Sequence, residues 1–219
     1  MLNELDHELE RRGHSFVRYA DDMVIFCRSK ASAEQTLEHI VPFIEKKLFL
    51  KVNREKTVVA YAGRIKFLGY GFYKGRKGFA LRLHAKSKAK LKARVRELTS
   101  RRRVNDYEKW KVDLKRYVVG WVNYYKLADM GTYLQNIDEW MRRRIRMVLW
   151  KKWKRVRTRW RNLLKLGISI ANAGILVNSR KGYWRIAASP TMQTALSSQR
   201  LEKAGFQFFY SNYRKSVAA

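Results

Sequence analysis

Two adjacent carboxylates, Asp21 and Asp22, sit between two short β-branched and aromatic runs in the stretch Phe16-Val17-Arg18-Tyr19-Ala20-Asp21-Asp22-Met23-Val24-Ile25-Phe26. The pattern predicts two buried antiparallel strands with the acids at or beside the connecting turn. Carboxylates held side by side repel each other, and a divalent cation would offset that charge. Magnesium suits the pair, because it takes hard oxygen ligands and works with phosphates. Asp is also a common turn residue for local hydrogen-bonding reasons, so a polar β-turn without chemistry is the plainer reading of Tyr19-Ala20-Asp21-Asp22.

The chain that must position this turn is strongly basic. Among 219 residues, 49 are Lys or Arg and 18 are Asp or Glu, a net charge of +31, which exceeds what solubility requires and implies a polyanionic partner. A hydrophobic content of 46% with seven Trp mounts that charge on a packed core rather than on a disordered tail. A folded nucleic-acid binder is the leading class. A membrane-surface protein competes with it, but no apolar run approaches the roughly 18 residues of a span and no lipidation signal is present. The acidic N-terminal residues lack a signal-peptide pattern. The single Cys27, expected in the core of the second strand, excludes an internal disulfide framework and fits a reducing cytoplasm. Residues 84–165 hold 26 bases against 7 acids, a net of +19, so a polyanion is expected there.

Leu2, Leu5 and Leu9 have helical spacing that stops at Gly13. Ser32 can cap a second helix running to about Lys47, with Ala33, Leu37, Ile40, Val41 and Ile44 as its buried face and Pro42 as a kink. Leu48 to Tyr61 reads as extended apart from a loop at Asn53-Arg54-Glu55-Lys56. In the apolar run from Lys66 to Tyr73, the alternating Gly69 and Gly71 suggest close approach of a backbone or ligand, and Gly75-Arg76-Lys77-Gly78 turns into Phe79-Ala80-Leu81-Arg82-Leu83. This first part describes a small α+β layer.

From Lys86 the pattern becomes helical. Leu91, Val95 and Leu98 mark one helix, Trp110, Leu114, Tyr117, Val118, Trp121, Tyr125 and Ala128 a second, and Leu134, Ile137, Met141, Ile145, Val148 and Leu149 a third, which together predict a bundle. The bases around them are the candidates for phosphate contact: Lys86, Lys88, Lys90, Lys92, Arg94, Arg96, Arg101, Arg102 and Arg103, then Arg142, Arg143, Arg144 and Arg146, then Lys151, Lys152, Lys154, Arg155, Arg157, Arg159 and Arg161. Trp150 and Trp153, interleaved with the last group, either pack on the bundle or stack on nucleobases. Residues 167–219 are broken by Gly167, Gly174, Gly182 and Pro190. Residues 182–186 read as a packed element, and Leu196, Leu201, Phe206, Phe208, Phe209 and Tyr210 could cover the bundle.

Several of these pieces stand in a familiar order. Tyr19-Ala20-Asp21-Asp22 is followed by Leu50-Lys51-Val52-Asn53-Arg54-Glu55-Lys56-Thr57, Phe67-Leu68-Gly69-Tyr70, Gly120-Trp121-Val122-Asn123-Tyr124-Tyr125, Asp138-Glu139-Trp140-Met141-Arg142-Arg143-Arg144 and Gly182-Tyr183-Trp184-Arg185. The series closely resembles the C-terminal part of group II intron-encoded proteins, which combine a reverse transcriptase with a maturase. The resemblance implies an α+β fold: part of a reverse-transcriptase palm in residues 1–83, a helical thumb or maturase domain in 84–165, and a C-terminal extension in 166–219 that contacts DNA or RNA. By the same resemblance Asp21 would bind catalytic magnesium with Asp22 assisting, and Tyr19 would lie near the primer end with Ala20 giving room. Lys56 would stand near the leaving pyrophosphate, and Phe67, Leu68, Gly69 and Tyr70 would support the primer terminus.

Polymerases of this kind use two metal ions about 3.5–4 Å apart. Their bridging ligands include an aspartate from an earlier palm strand, which this sequence lacks, and Asp6 does not replace it because it lies in the helical Leu2-Leu5-Leu9 pattern. The expectation is therefore a C-terminal portion of such a protein that binds structured intron RNA and RNA/DNA duplex to assist splicing. It would contribute to RNA-templated DNA synthesis when a separately encoded N-terminal half supplies the missing aspartate. A stand-alone RNA- or DNA-binding module, with target DNA among its ligands, is the alternative. No Cys/His cluster after residue 160 suits the family's metal-dependent endonuclease. A cytoplasmic, bacterial setting without membrane association completes the reading.

Overall fold

The structure, a computed structural model, describes residues 2–75, 78–102, 104 and 106–218. Its chain divides into two compact units, residues 1–84 and residues 85–219.

In the first unit, helix α1 (Leu2–Arg11) ends at Gly13, whose φ of 72° is the left-handed value that stops a helix. Strands β1 (Ser15–Tyr19) and β2 (Asp22–Phe26) follow as an antiparallel hairpin, with Tyr19 opposite Asp22. Helix α2 spans Lys30–Pro42 and is capped by Ser29, whose hydroxyl accepts a hydrogen bond from the Ser32 N–H at 3.1 Å. The capping serine is thus three residues earlier than the sequence pattern placed it, because Ser29 supplies the extended backbone an N-cap needs. Pro42 ends the α-helical bonding as expected, and the chain continues as a π-helical turn, Phe43–Lys47.

Leu5 and Leu9 of α1, Ile40 of α2 and Leu48 form the core of this unit, against which Phe16, Met23 and Ile25 of the hairpin pack. This core covers one face of the hairpin. Val17, Tyr19 and Phe26 are exposed, so the expectation of two buried strands is corrected to half-buried ones, and Cys27 is likewise only half-buried. Residues 49–61 form no strand; their backbone is a loop with a turn at residues 54–56. A second sheet of three antiparallel strands, β3 (Lys66–Phe67), β4 (Tyr70–Gly75) and β5 (Gly78–Leu83), completes the unit. Gly75 of β4 pairs with Gly78 of β5; the turn expected between them falls on Arg76 and Lys77, which lie outside the described residues.

The second unit is helical. Helices α3 (Ala85–Leu98), α4 (Tyr107–Tyr125) and α5 (Gly131–Lys152) bury the expected stripes, including Leu91, Val95, Leu114, Val118, Leu134, Ile137, Met141 and Ile145. Asp106 caps α4 by accepting from the backbone N–H groups of Glu108 and Lys109. The basic run after Leu149 is not one helix. It breaks at residues 153–155 and resumes as α6 (Val156–Lys165), the Arg159 guanidinium donating to the Trp153 carbonyl at 2.9 Å across the break.

Short helices α7 (Ile170–Val177), α8 (Tyr183–Ile186), α9 (Pro190–Ala195) and α10 (Ser198–Lys203) lead to α11 (Phe209–Ala218), which packs on α4 and α5. Leu201, Phe206, Phe208 and Phe209 are buried, Phe206 edge-on to Trp110 at 5.1 Å and Phe209 edge-on to Trp121 at 5.6 Å. These T-shaped contacts are favoured ring geometries, and they make the C-terminal residues part of one core with the bundle. Asp138 on α5, 2% exposed, fastens α11: its two carboxylate oxygens accept the backbone N–H groups of Phe209 and Tyr210 at 2.9 and 2.8 Å. An anion at a helix N-terminus satisfies otherwise unpaired donors and the helix dipole together.

Candidate catalytic hairpin and nucleic-acid interface

In the first unit Ala20 and Asp21 form a two-residue loop between paired Tyr19 and Asp22. Ala20 has a φ of 53°, the positive value that a type II′ hairpin turn requires at its first central residue and that glycine normally supplies. A left-handed non-glycine costs about 1–2 kcal/mol, so something must hold the turn. Arg18 does so. Its Nε donates to Asp6 Oδ1 at 2.7 Å, its Nη2 donates to Asp6 Oδ2, and its Nη1 reaches the Ala20 carbonyl at 3.3 Å. The fork ties the tip of the hairpin to α1. The hydrogen bond from Arg18 keeps the Asp6 carboxyl below its ordinary pKa, so Asp6 is committed as the anchor of Arg18. The residue pattern does not single out Arg18; its one signal is an arginine on the same strand face as Phe16, two residues before the turn.

Asp21 and Asp22 are both exposed, and Tyr19 beside them is 65% exposed. Two carboxylates give the right oxygen donors for magnesium. Among the described residues, however, no group of three or more His, Cys, Asp or Glu is placed to hold a metal ion, so the donor chemistry fits and the ligand set is short.

Lys56 lies in the exposed turn at residues 54–56, which Asn53 organises: its side-chain oxygen and its carbonyl both accept from the Lys56 N–H, each at 3.2 Å. The Lys56 side chain forms no ion pair among the described residues, whereas Arg54 pairs with Glu45 at 2.6 Å. At the β3–β4 turn Phe67 pairs with Tyr70, and Leu68 (φ 50°) and Gly69 (φ 83°) both take positive φ, the type I′ pattern. The turn explains Gly69. At Gly71 a Cβ would stand 3.6 Å from the Arg82 side chain, an ordinary contact, so no close backbone approach requires glycine there.

The second unit sorts the basic candidates into two kinds. On α5, Arg146 is 7% exposed and donates to the Leu196 carbonyl at 2.9 Å. Arg144 is half-buried, donates to the Thr99 hydroxyl and to the Arg96 carbonyl at 3.0 Å, and lies 5.2 Å from the centre of the Trp140 ring. Burial lowers the pKa of both groups. Arg143 lies 3.9 Å from the Trp184 ring centre and donates twice to the Trp184 carbonyl, and Arg142 lies 5.5 Å from that of Phe208. Arg146 is therefore corrected from phosphate contact to packing: four bases in five residues cannot all leave a helix on its solvent side.

Lys88 lies over the Tyr133 ring, Arg94 pairs with Glu97, Arg101 lies over Tyr183, and half-buried Arg159 lies over Trp150. Lys86 is exposed and Lys151 half-buried; Arg103 lies outside the described residues. Lys90, Lys92, Arg96, Arg102, Lys152, Lys154, Arg155, Arg157 and Arg161 are exposed and, among the described residues, in no ion pair. The charge of these nine is not offset by an ion pair among the described residues. Trp150 is 3% exposed, which excludes it as a stacking platform; Trp153 is half-buried, edge-on to Trp150 at 6.0 Å.

No described helix is long and apolar enough to cross a membrane. Comparison with protein-family models matches residues 1–72 to the reverse transcriptase (RNA-dependent DNA polymerase) model and residues 88–167 to the group II intron maturase-specific domain, together most of the chain. The hairpin falls in the first match and the exposed bases in the second. No curated protein matches the chain.

Proposed function

We propose, from the premise that the chain belongs to the group II intron reverse transcriptase/maturase family, that its helical unit binds structured intron RNA and so assists splicing. The observation that carries the proposal is that nine of the candidate bases on the helical unit, between Lys90 and Arg161, are exposed and, among the described residues, in no ion pair, in a segment of net charge +19. In this reading residues 1–83 are the C-terminal part of a palm, 84–165 a thumb or maturase domain, and 166–219 an extension joined to its core. Phosphate neutralisation releases counterions, so affinity should fall steeply with salt. Filter-binding titration against a folded intron RNA over a series of potassium chloride concentrations tests it. Weak, salt-independent binding at low salt would refute the reading, and equal affinity for duplex DNA would favour a general nucleic-acid-binding module.

The exposed Asp21–Asp22 pair in the reverse-transcriptase match supports a second role. Asp21 and Asp22 would hold magnesium, which when bound would polarise phosphate oxygens during RNA-templated DNA synthesis. Arg18 holds the turn that presents them, Tyr19 and residues 67–70 would meet the primer, and Lys56 would face the leaving phosphate. Among the described residues no third acidic ligand stands beside the pair; in this reading a separately encoded N-terminal half would supply it. Primer extension with and without that half, and with Asp21→Asn, decides this role: extension unaffected by Asp21→Asn would overturn it.

A further inference from the structure

The helical unit contains a cavity of about 610 Å³ at the junction of α4, the end of α5 and α6, within the range of small-ligand sites. Its lining mixes flat rings with a few polar groups. Trp110 is buried, with its indole N–H committed to the Leu98 carbonyl at 2.8 Å, and so presents only apolar surface. Tyr107 is 39% exposed, held edge-on to Trp110 at 6.1 Å, and Trp153 is held edge-on to Trp150 at 6.0 Å. Asn162 is half-buried, and its side-chain amide makes no hydrogen bond among the described residues. Lys152 and Lys165 line the same cavity, both exposed and in no ion pair among the described residues.

We infer that this cavity receives one unstacked nucleobase of the bound RNA. A base offers two flat faces and a polar edge, and the cavity answers each. The Trp153 ring, and the face of Tyr107 not covered by Lys111, whose Nζ lies 4.7 Å from the ring centre, give it surfaces to stack on. The Asn162 amide has one donor side and one acceptor side, the pairing that reads an adenine edge. Lys152 and Lys165 take the flanking phosphates. An aliphatic ligand would leave the amide and both ammonium groups unused. The inference rests on the RNA-binding reading above and adds to it a contact that senses a base rather than charge.

The test compares two RNA hairpins of equal charge, one with a single bulged adenosine and one with an abasic bulge, each titrated against the full chain at several salt concentrations. The adenosine hairpin is expected to bind about 10-fold more tightly, the size of one base–aromatic stack, with the same salt slope as its abasic counterpart. Trp153→Ala and Asn162→Ala should each shrink that ratio while leaving the salt slope unchanged. Because Asn162→Ala removes no ring, it serves if Trp153→Ala fails to fold, as judged by its melting curve. Equal affinity of wild type for the two hairpins, or a ratio that survives the variants that fold, overturns the inference while salt-dependent binding upholds the RNA reading. Absence of salt-dependent binding to either hairpin overturns both.

Discussion

Replacing Asp138 with Asn takes a buried charge away from the start of α11. Two effects compete at this carboxyl: burial at 2% exposure disfavours its charged form, while the Phe209 and Tyr210 N–H groups favour it. Burial wins, and the pKa is pushed up from 3.8 to about 6, with Arg142 opposing and Glu202 reinforcing the shift. A carboxyl whose pKa is raised on folding contributes its full stabilisation below the unfolded value and loses it as pH rises through the folded one. Two pH units correspond to roughly 3 kcal/mol. The stability of wild type relative to Asp138→Asn should therefore fall by about that amount between pH 4 and pH 7, most steeply between 4 and 6. Urea unfolding of both proteins across this range, followed by circular dichroism, gives the difference curve. A flat curve would show that ionising Asp138 costs the fold nothing; a rising one would show that the two N–H donors, not burial, dominate.

Other expectations follow from the two units separately. Ala20→Val, which forces a β-branched residue to a positive φ, should destabilise the first unit by about 2 kcal/mol, whereas Ala20→Gly should be neutral or stabilise it by up to about 1 kcal/mol, both read from thermal melts. Arg18→Gln should lower the melting temperature most at neutral pH, with the difference shrinking in acid as Asp6 takes up its proton, since the Asp6 pKa is lowered on folding. The triple variant Lys154→Gln/Arg155→Gln/Arg157→Gln should flatten the salt dependence of RNA affinity by about 2 units on a log–log plot while leaving the melting curve alone. Arg146→Ala should do the reverse, costing about 2 kcal/mol or more of stability through the cavity and the unpaired Leu196 carbonyl, with the salt slope unchanged.

Much of the architecture was legible because it depends on local spacing. The hairpin around Asp21 and Asp22 follows from two β-branched runs with acids between them, and the stripes of α3, α4 and α5 follow from a helical repeat that any window of the sequence contains. Net charge is a sum over residues, so the expectation of a polyanionic partner does not depend on the fold. Contacts between distant residues were not legible. Arg18 and Asp6 are 12 residues apart, Arg146 and Leu196 are 50, and Asp138 and Phe209 are 71. No periodicity connects such pairs, because they meet only once helices and strands have chosen their packing partners.

The sequence by itself determined that the chain carries a carboxylate turn and a basic helical segment. Only the tertiary structure decided which bases face outward, which arginines are spent on carbonyls and rings, and that Trp150 is core while Trp153 borders a cavity. The physical reason is that charge and composition belong to residues, whereas exposure belongs to surfaces, and a surface exists only after the core beneath it has formed.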